Sequence, residues 1–288
     1  MGEPQPNKKT GRRIWILVLI LSLLLLVGGA GVYIGTRVLG QHMLNPGDYH
    51  NPTAEAPSAT AFGPEPTVPT LTEPAAESGS ETEAPLPDNP IDFEALWAVN
   101  PSVYAWIYMP IGGELQDIDY PILQSEWEED DNFYLHHNLE KNYQFSGCIY
   151  TQKKNAKDFS DRVTLVYGHN MLDGTMFSNL VYFRDPQFFA EHEEFYIYTP
   201  GHILTYRIAA AIQFDDRHIL NSFDFKDDEV YESWIQNYIL EPKTMLRAVR
   251  EGIEVTIEDK IVILSTCLEH GAYRYLIQGV LISDEPTK

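Results

Sequence analysis

Twenty-one consecutive residues, Ile14 to Ile34 (IWILVLILSLLLLVGGAGVYI), carry no charge, and this run divides the chain. As a helix at 1.5 Å per residue it is about 31 Å long, enough for a hydrocarbon core of about 30 Å. Trp15 and Tyr33 lie near its two ends, as interfacial aromatics do. Lys8, Lys9, Arg12 and Arg13 precede it, so the positive-inside rule keeps residues 1–13 cytoplasmic and exports the rest. The competing reading is a cleaved signal peptide with GGAG as its small-residue cleavage region; the length of the run favours an uncleaved transmembrane helix over 14–34.

Charge divides the chain in the same way. Residues 1–40 hold five Lys or Arg against one acid, 41–90 hold eight acids and no Lys or Arg, and 91–288 hold 15 against 33. A net charge of −22 excludes nucleic acid as a partner, since phosphates demand a basic face. Ten prolines fall within 41–90 among Thr, Glu, Ser and Ala. Such a stretch buries too little to offset its ordering entropy, so 35–90 reads as a disordered stalk averaging about 40 Å or more.

The folded part spans 91–288. Asp92 reads as the N-cap of a short opening helix with Phe93, Leu96 and Trp97 on its apolar face, ended by Asn100-Pro101. VYAWIYMP, DYPILQ, SGCIYTQ, VTLVYGH, EFYIYT and HILTYRIAAAIQF read as strands, the last two joined through Pro200-Gly201. GTMFSNLVYF and DPQFFAEH read as short helices. DDEVYESWIQNYIL reads as a helix with acids in its first turn and Val230, Trp234 and Tyr238 four apart. Strands dominate, which predicts a mainly β fold: one closed barrel with helical insertions.

Chemistry concentrates in KIVILSTCLEHGAYRYLIQGVLISD. A strand from Ile261 to Thr266 stops at Cys267, and a second runs from Tyr273 to Ile282, so hairpin pairing returns Arg274 to the end where the thiol sits. A cation near a thiol favours the nucleophilic thiolate. A proton donor comes from upstream, where Val163–Tyr167 runs into Gly168 and His169. Singly, a Cys is most often a small buried hydrophobe and a strand-end His a surface residue. Together, nucleophile, acid/base and oxyanion stabiliser are what acyl transfer needs. A Cys148–Cys267 disulfide is the only one the composition permits, but Cys148 in SGCIY reads as a buried strand residue and a bridge would silence the nucleophile. Metal is not expected: His136 and His137 point apart, Cys267 and His270 form only a C-x-x-H, and no zinc-spaced set of four appears. No cofactor is expected either, since no Gly-rich phosphate loop is present.

YGHNMLDGTMF around His169, LSTC around Cys267 and Arg274 in the next strand resemble the signatures of the class B sortases, membrane-bound transpeptidases of Gram-positive bacteria. The likeness extends through NPSVYAWIYMP, DIDYPILQ and NFYLHHNLEKNYQFSGCIY. It implies an eight-stranded barrel with an N-terminal helix, a helix between strands six and seven, and an uncleaved anchor with the catalytic domain outside the cell. The implied reaction cleaves the C-terminal sorting signal of a secreted protein through a thioester and passes the protein to an amine, on a peptidoglycan precursor or on a pilin. Cys267 would be the nucleophile, His169 the acid/base and Arg274 the oxyanion clamp. Ser265, Asn132 and Leu135 would line the substrate groove, with the loop Asp215–Lys226 and its helix as one wall. An uncompensated thiol and imidazole have pKa values of about 8.5 and 6.5, so the resemblance implies a minor fraction with both charged and a slow enzyme. The sequence departs from the family's usual pattern at Ile263, where Thr is common, and in a short loop from Cys267 to Arg274. A tethered cysteine peptidase releasing product to water, or a non-catalytic surface-binding module, would be the rival readings.

Overall fold

Runs of β-branched and aromatic residues give nine strands among the described residues of a computed structural model, which are 44–52, 54, 86–127, 129–268 and 271–288. They are β1 Val103–Met109, β2 Ile118–Gln124, β3 Ile149–Thr151, β4 Val163–Tyr167, β5 Glu194–Thr199, β6 His202–Asp215, β7 Arg247–Val249, β8 Ile261–Cys267 and β9 Tyr273–Pro286. The hydrogen-bonded order is β5-β1-β2-β3-β4-β8-β9-β6-β7, and β5 also pairs with β6. Eight strands therefore close into a barrel, while β7 continues the edge of β6 beyond β5 through Ala210–Ile212. The β2–β3 and β4–β8 pairs are parallel. Both β8 and β9 run further than their apolar cores suggest, β8 to Cys267 itself and β9 to Pro286.

The helices start where capping chemistry allows. Helix α1 (Phe93–Val99) begins at Asp92, whose carboxylate accepts from the Ala95 N–H, and α2 (Pro186–Glu191) begins at Asp185, which accepts from Gln187 and Phe188. The segment expected as the preceding short helix is a 3-10 turn, Ser178–Arg184. Between β6 and β7 lie α3 (Ile219–Ser222) and α4 (Asp228–Trp234), capped by Asp227. The chain then widens into a π-helical stretch, Ile235–Leu240. There Gln278 accepts from Trp234 Nε1 and donates to the Tyr238 carbonyl, so one strand amide holds both parts of the helix.

Two apolar cores flank the sheet. Val262 and Leu264 of β8 point into the barrel with Ile107, Phe177, Ile208 and Ile277, whereas Ile261 and Ile263 point outward beneath Tyr231, Trp234 and Ile235. A strand buried on both faces reads as a continuous apolar run, as IVIL does. The two-residue alternation carries the outward face on to Ser265 and Cys267.

Part of the expected stalk is built into the domain. Pro46–Asp48 form a 3-10 turn, His50 bridges Ile91, the Asn51 N–H donates to Pro90 O (2.7 Å) and the Asp92 N–H to Tyr49 O (2.8 Å). His50 pairs with Asp119 at 3.0 Å and meets the Trp106 ring edge-on. These six residues carry two aromatic rings that find partners on β1 and β2. Residues 55–85, and the apolar run Ile14–Ile34, lie outside the described residues. Among the described residues no helix is long and apolar enough to cross a membrane.

Candidate active site

Strand register brings the three candidate groups together. Strands β4 and β8 pair in parallel from Val163↔Ile261 to Tyr167↔Ser265, and the Gly168 N–H donates to Ser265 O at 3.1 Å. Two residues further along each chain come His169, just past the end of β4, and Cys267, the last residue of β8. On the other side of β8, Cys267↔Arg274 is the last pair with β9, so the thiol has the histidine's strand on one flank and the arginine's on the other. Asn170 Nδ2 donates to Cys267 O at 3.0 Å and ties the loop after His169 to the end of β8.

His169 is held by two neighbouring rings and at one edge. Its ring stacks on His136 and on Phe145, each at a centroid distance of 5.3 Å, and Nε2 meets the Leu135 carbonyl at 2.9 Å. A carbonyl only accepts, so Nε2 carries the hydrogen and proton exchange falls to Nδ1. Burial pushes the imidazole's pKa down, with repulsion from His136 adding to it and the Leu135 carbonyl opposing it. The ring is thus chiefly neutral near pH 7. Leu135, expected in the groove, contributes its main-chain carbonyl to the His169 ring.

Arg274 donates from Nη1 to its own turn, to Gly271 O at 2.8 Å and Tyr273 O at 3.3 Å. Gly271 closes that turn at φ +71°, a conformation that suits glycine. Among the described residues the rest of the fork is uncommitted. Its charge also reaches Tyr167, where it partly offsets the rise that burial imposes on the phenol. Ser265 is buried on the same face as Cys267. Asn132 stands beside Tyr150 and Gln152 and bonds both. Cys148 and Cys267 are both free. The Cys148 thiol is pushed far up by burial, which makes it a poor nucleophile.

Sequence reasoning missed His136, Phe145, Tyr150, Gln152, Tyr167 and His218. Tyr150 and Tyr167 form a stacked cross-strand pair (5.3 Å, 24°) next to β8, and their alternation with core residues was the available signal. His218 reaches Gln152 from the far side of the barrel, and nothing local in the sequence marks that contact.

No family model matches the chain. It is 32% identical over 174 residues to sortase B of Listeria monocytogenes, an alignment covering 58% of this chain and 66%, about two thirds, of that relative's length. Among solved structures, a mutant form of Clostridium perfringens sortase B matches at a TM-score of 0.58 and 29% identity over 67% of this chain and 87% of that one. A Streptococcus pyogenes class B sortase involved in pilus biogenesis matches at a TM-score of 0.52 and 31% identity, over 66% of this chain and 97% of that one. The chain belongs to the class B sortases. This sortase thus comes from a family of cysteine transpeptidases, and its barrel carries Cys267 at the end of β8, Arg274 opposite it on β9, and His169 two residues past the end of β4.

Proposed function

We propose that the protein cleaves the C-terminal sorting signal of secreted proteins and transfers them to a cell-wall amine. The observation that supports this is the register: β8, which ends at Cys267, runs between β4, which leads into His169, and β9, where Arg274 faces Cys267. In the first half-reaction the Cys267 thiolate attacks the scissile carbonyl and a C–S bond forms. The oxyanion is met by the N–H groups of Arg274 that its turn does not engage, and the fork's planarity suits that task. His169, as the imidazolium, protonates the leaving amine from Nδ1 while Leu135 holds Nε2. In the second half-reaction the acceptor amine attacks the thioester, gives its proton to Nδ1, and the C–S bond breaks. A peptidase would use water at that point. Ser265 and Asn132 line the groove in this reading, and the 14–34 run anchors the domain at the outer face of the membrane.

The acceptor is a peptidoglycan-precursor amine in the first reading. A pilin lysine is the second, favoured by the likeness to the S. pyogenes enzyme involved in pilus biogenesis. The test incubates the purified chain with a panel of labelled sorting peptides, with and without a glycine- or lysine-type amine. Cleavage that depends on Cys267 and is faster with amine supports transpeptidation, and release to water at the same rate whatever the amine supports the peptidase.

A further inference from the structure

A run of side-chain hydrogen bonds lies one and two strands over from Cys267, and the groups above do not account for it. Asn132 Oδ1 accepts from Tyr150 Oη (3.1 Å) and from Gln152 Nε2 (2.9 Å). Gln152 Oε1 accepts from Tyr167 Oη (3.2 Å) and bonds His218 Nε2 (2.7 Å). The directions follow from the chemistry of the groups. Gln152 uses its amide nitrogen on Asn132, so a carbonyl oxygen faces His218, and His218 Nε2 must carry the hydrogen. His218 Nδ1 is buried with no hydrogen-bond partner, and burial lowers the ring's pKa, so the imidazole is neutral.

Gln152 is the pivot. Turned over, its amide would set N–H groups against the His218 Nε2–H and lose the bond to Asn132. As it stands, both donors converge on Asn132 Oδ1, and its Nδ2 hydrogens have no partner among the described residues. The network shares the sheet face of the nucleophile: Tyr150 pairs with Tyr167, Tyr167 with Ser265, and Ser265 precedes Cys267 on the same face. His218 arrives on the loop between β6 and α3, and a second bond, from Lys154 Nζ to Leu220 O of α3 (3.3 Å), also holds this region against the segment after β3. The loop therefore has an attachment that does not depend on the imidazole.

We propose that His218 is a positioning residue of the peptide groove: through Gln152 it fixes the Asn132 amide with Oδ1 inward, leaving Nδ2 as donor to a backbone carbonyl of the bound peptide. This rests on the transpeptidase reading and adds to it a residue outside the three catalytic groups. The volume-conserving variant His218→Leu removes the donor, whereas His218→Gln returns an amide N–H near the position of Nε2.

The experiment measures acylation of the full-length chain by the best-cleaved sorting peptide, and alkylation of Cys267 by iodoacetamide as a peptide-free control. His218→Leu should raise KM about three- to tenfold, the worth of one hydrogen bond, with kcat and alkylation near wild type. His218→Gln should recover most of that loss, and His218→Leu should add nothing in an Asn132→Ala background. A wild-type KM for His218→Leu, failure of the Gln variant to rescue, or additivity with Asn132→Ala would each overturn the proposal while leaving the transpeptidase reading in place. A wild-type chain that no peptide acylates would overturn both.

Discussion

Gly168→Ala tests whether the wall behind His169 can yield. A Cβ on Gly168 would lie 2.5 Å from Ile149 Cδ1 and 2.6 Å from Phe177 Cδ2 and Cγ. Carbon atoms settle at about 3.5–4.0 Å, so about 1 Å of movement is required. Ile149 and Phe177 are fully buried and cannot swing into solvent. Gly168 does not occupy the left-handed region, so the penalty is steric, and the entropy that Ala removes from the unfolded chain offsets only about 0.4–1 kcal/mol. Overpacking of this kind costs about 1–3 kcal/mol, and a domain of this size loses about 2–4 °C of Tm per kcal/mol. The movement reaches the chemistry because the Phe177 N–H donates to His169 O at 2.9 Å. A misplacement of about 1 Å costs about a hundredfold in rate. Thermal unfolding and single-turnover acylation should thus show a drop in Tm of several degrees with a much larger proportional loss of rate. Wild-type stability and rate together would refute the packing argument. Loss of stability with full activity per folded molecule would refute the link from Phe177 to His169.

Two other outcomes follow from the geometry. Arg274→Lys keeps the charge and loses the fork, so acylation should fall about a hundred- to a thousandfold with Tm unchanged; near wild-type acylation would show that charge alone suffices. The hydrogen bond from His50 to Asp119 raises the His50 pKa above 6.5 despite burial, so its contribution is complete below pH about 6.5 and is lost as pH rises through the raised value. Asp119→Asn should flatten the dependence of Tm on pH in that window, and an unchanged slope would remove His50 from the account.

The barrel was legible because its strands are rich in β-branched and aromatic residues and bounded by turn residues. Asp92, Asp185 and the acids before Val230 likewise mark helix starts that the structure caps. Less was legible where pairing is distant or local signal is weak. Nothing in RAV, with a charge at one end, separates β7 from a loop, and it is a strand only because Ala210–Ile212 leaves an edge beyond β5. The segment 46–51 was lost in its surroundings: six residues with Tyr49 and His50 cannot outweigh the prolines and acids around them in composition, yet two rings and two backbone hydrogen bonds suffice to dock them. Cys267, His169 and Arg274 could be named because each follows or opens a strand. The parallel β4–β8 pairing that joins the first two is not written in either strand. The Gln152–His218 contact spans 66 residues, and only the folded chain brings its ends together.

The central claim is that Cys267 is the nucleophile and that its neighbours on β4 and β9 make it one. The direct measurement is mass-spectrometric mapping of the covalent adduct formed with a sorting-signal peptide, quenched in acid before acceptor amine is added. The account predicts a thioester on the tryptic peptide containing Cys267, absent in Cys267→Ala, retained in Cys148→Ala, and strongly diminished in His169→Ala and Arg274→Ala. An adduct on Cys148, or full labelling of Cys267 without His169 and Arg274, would contradict it.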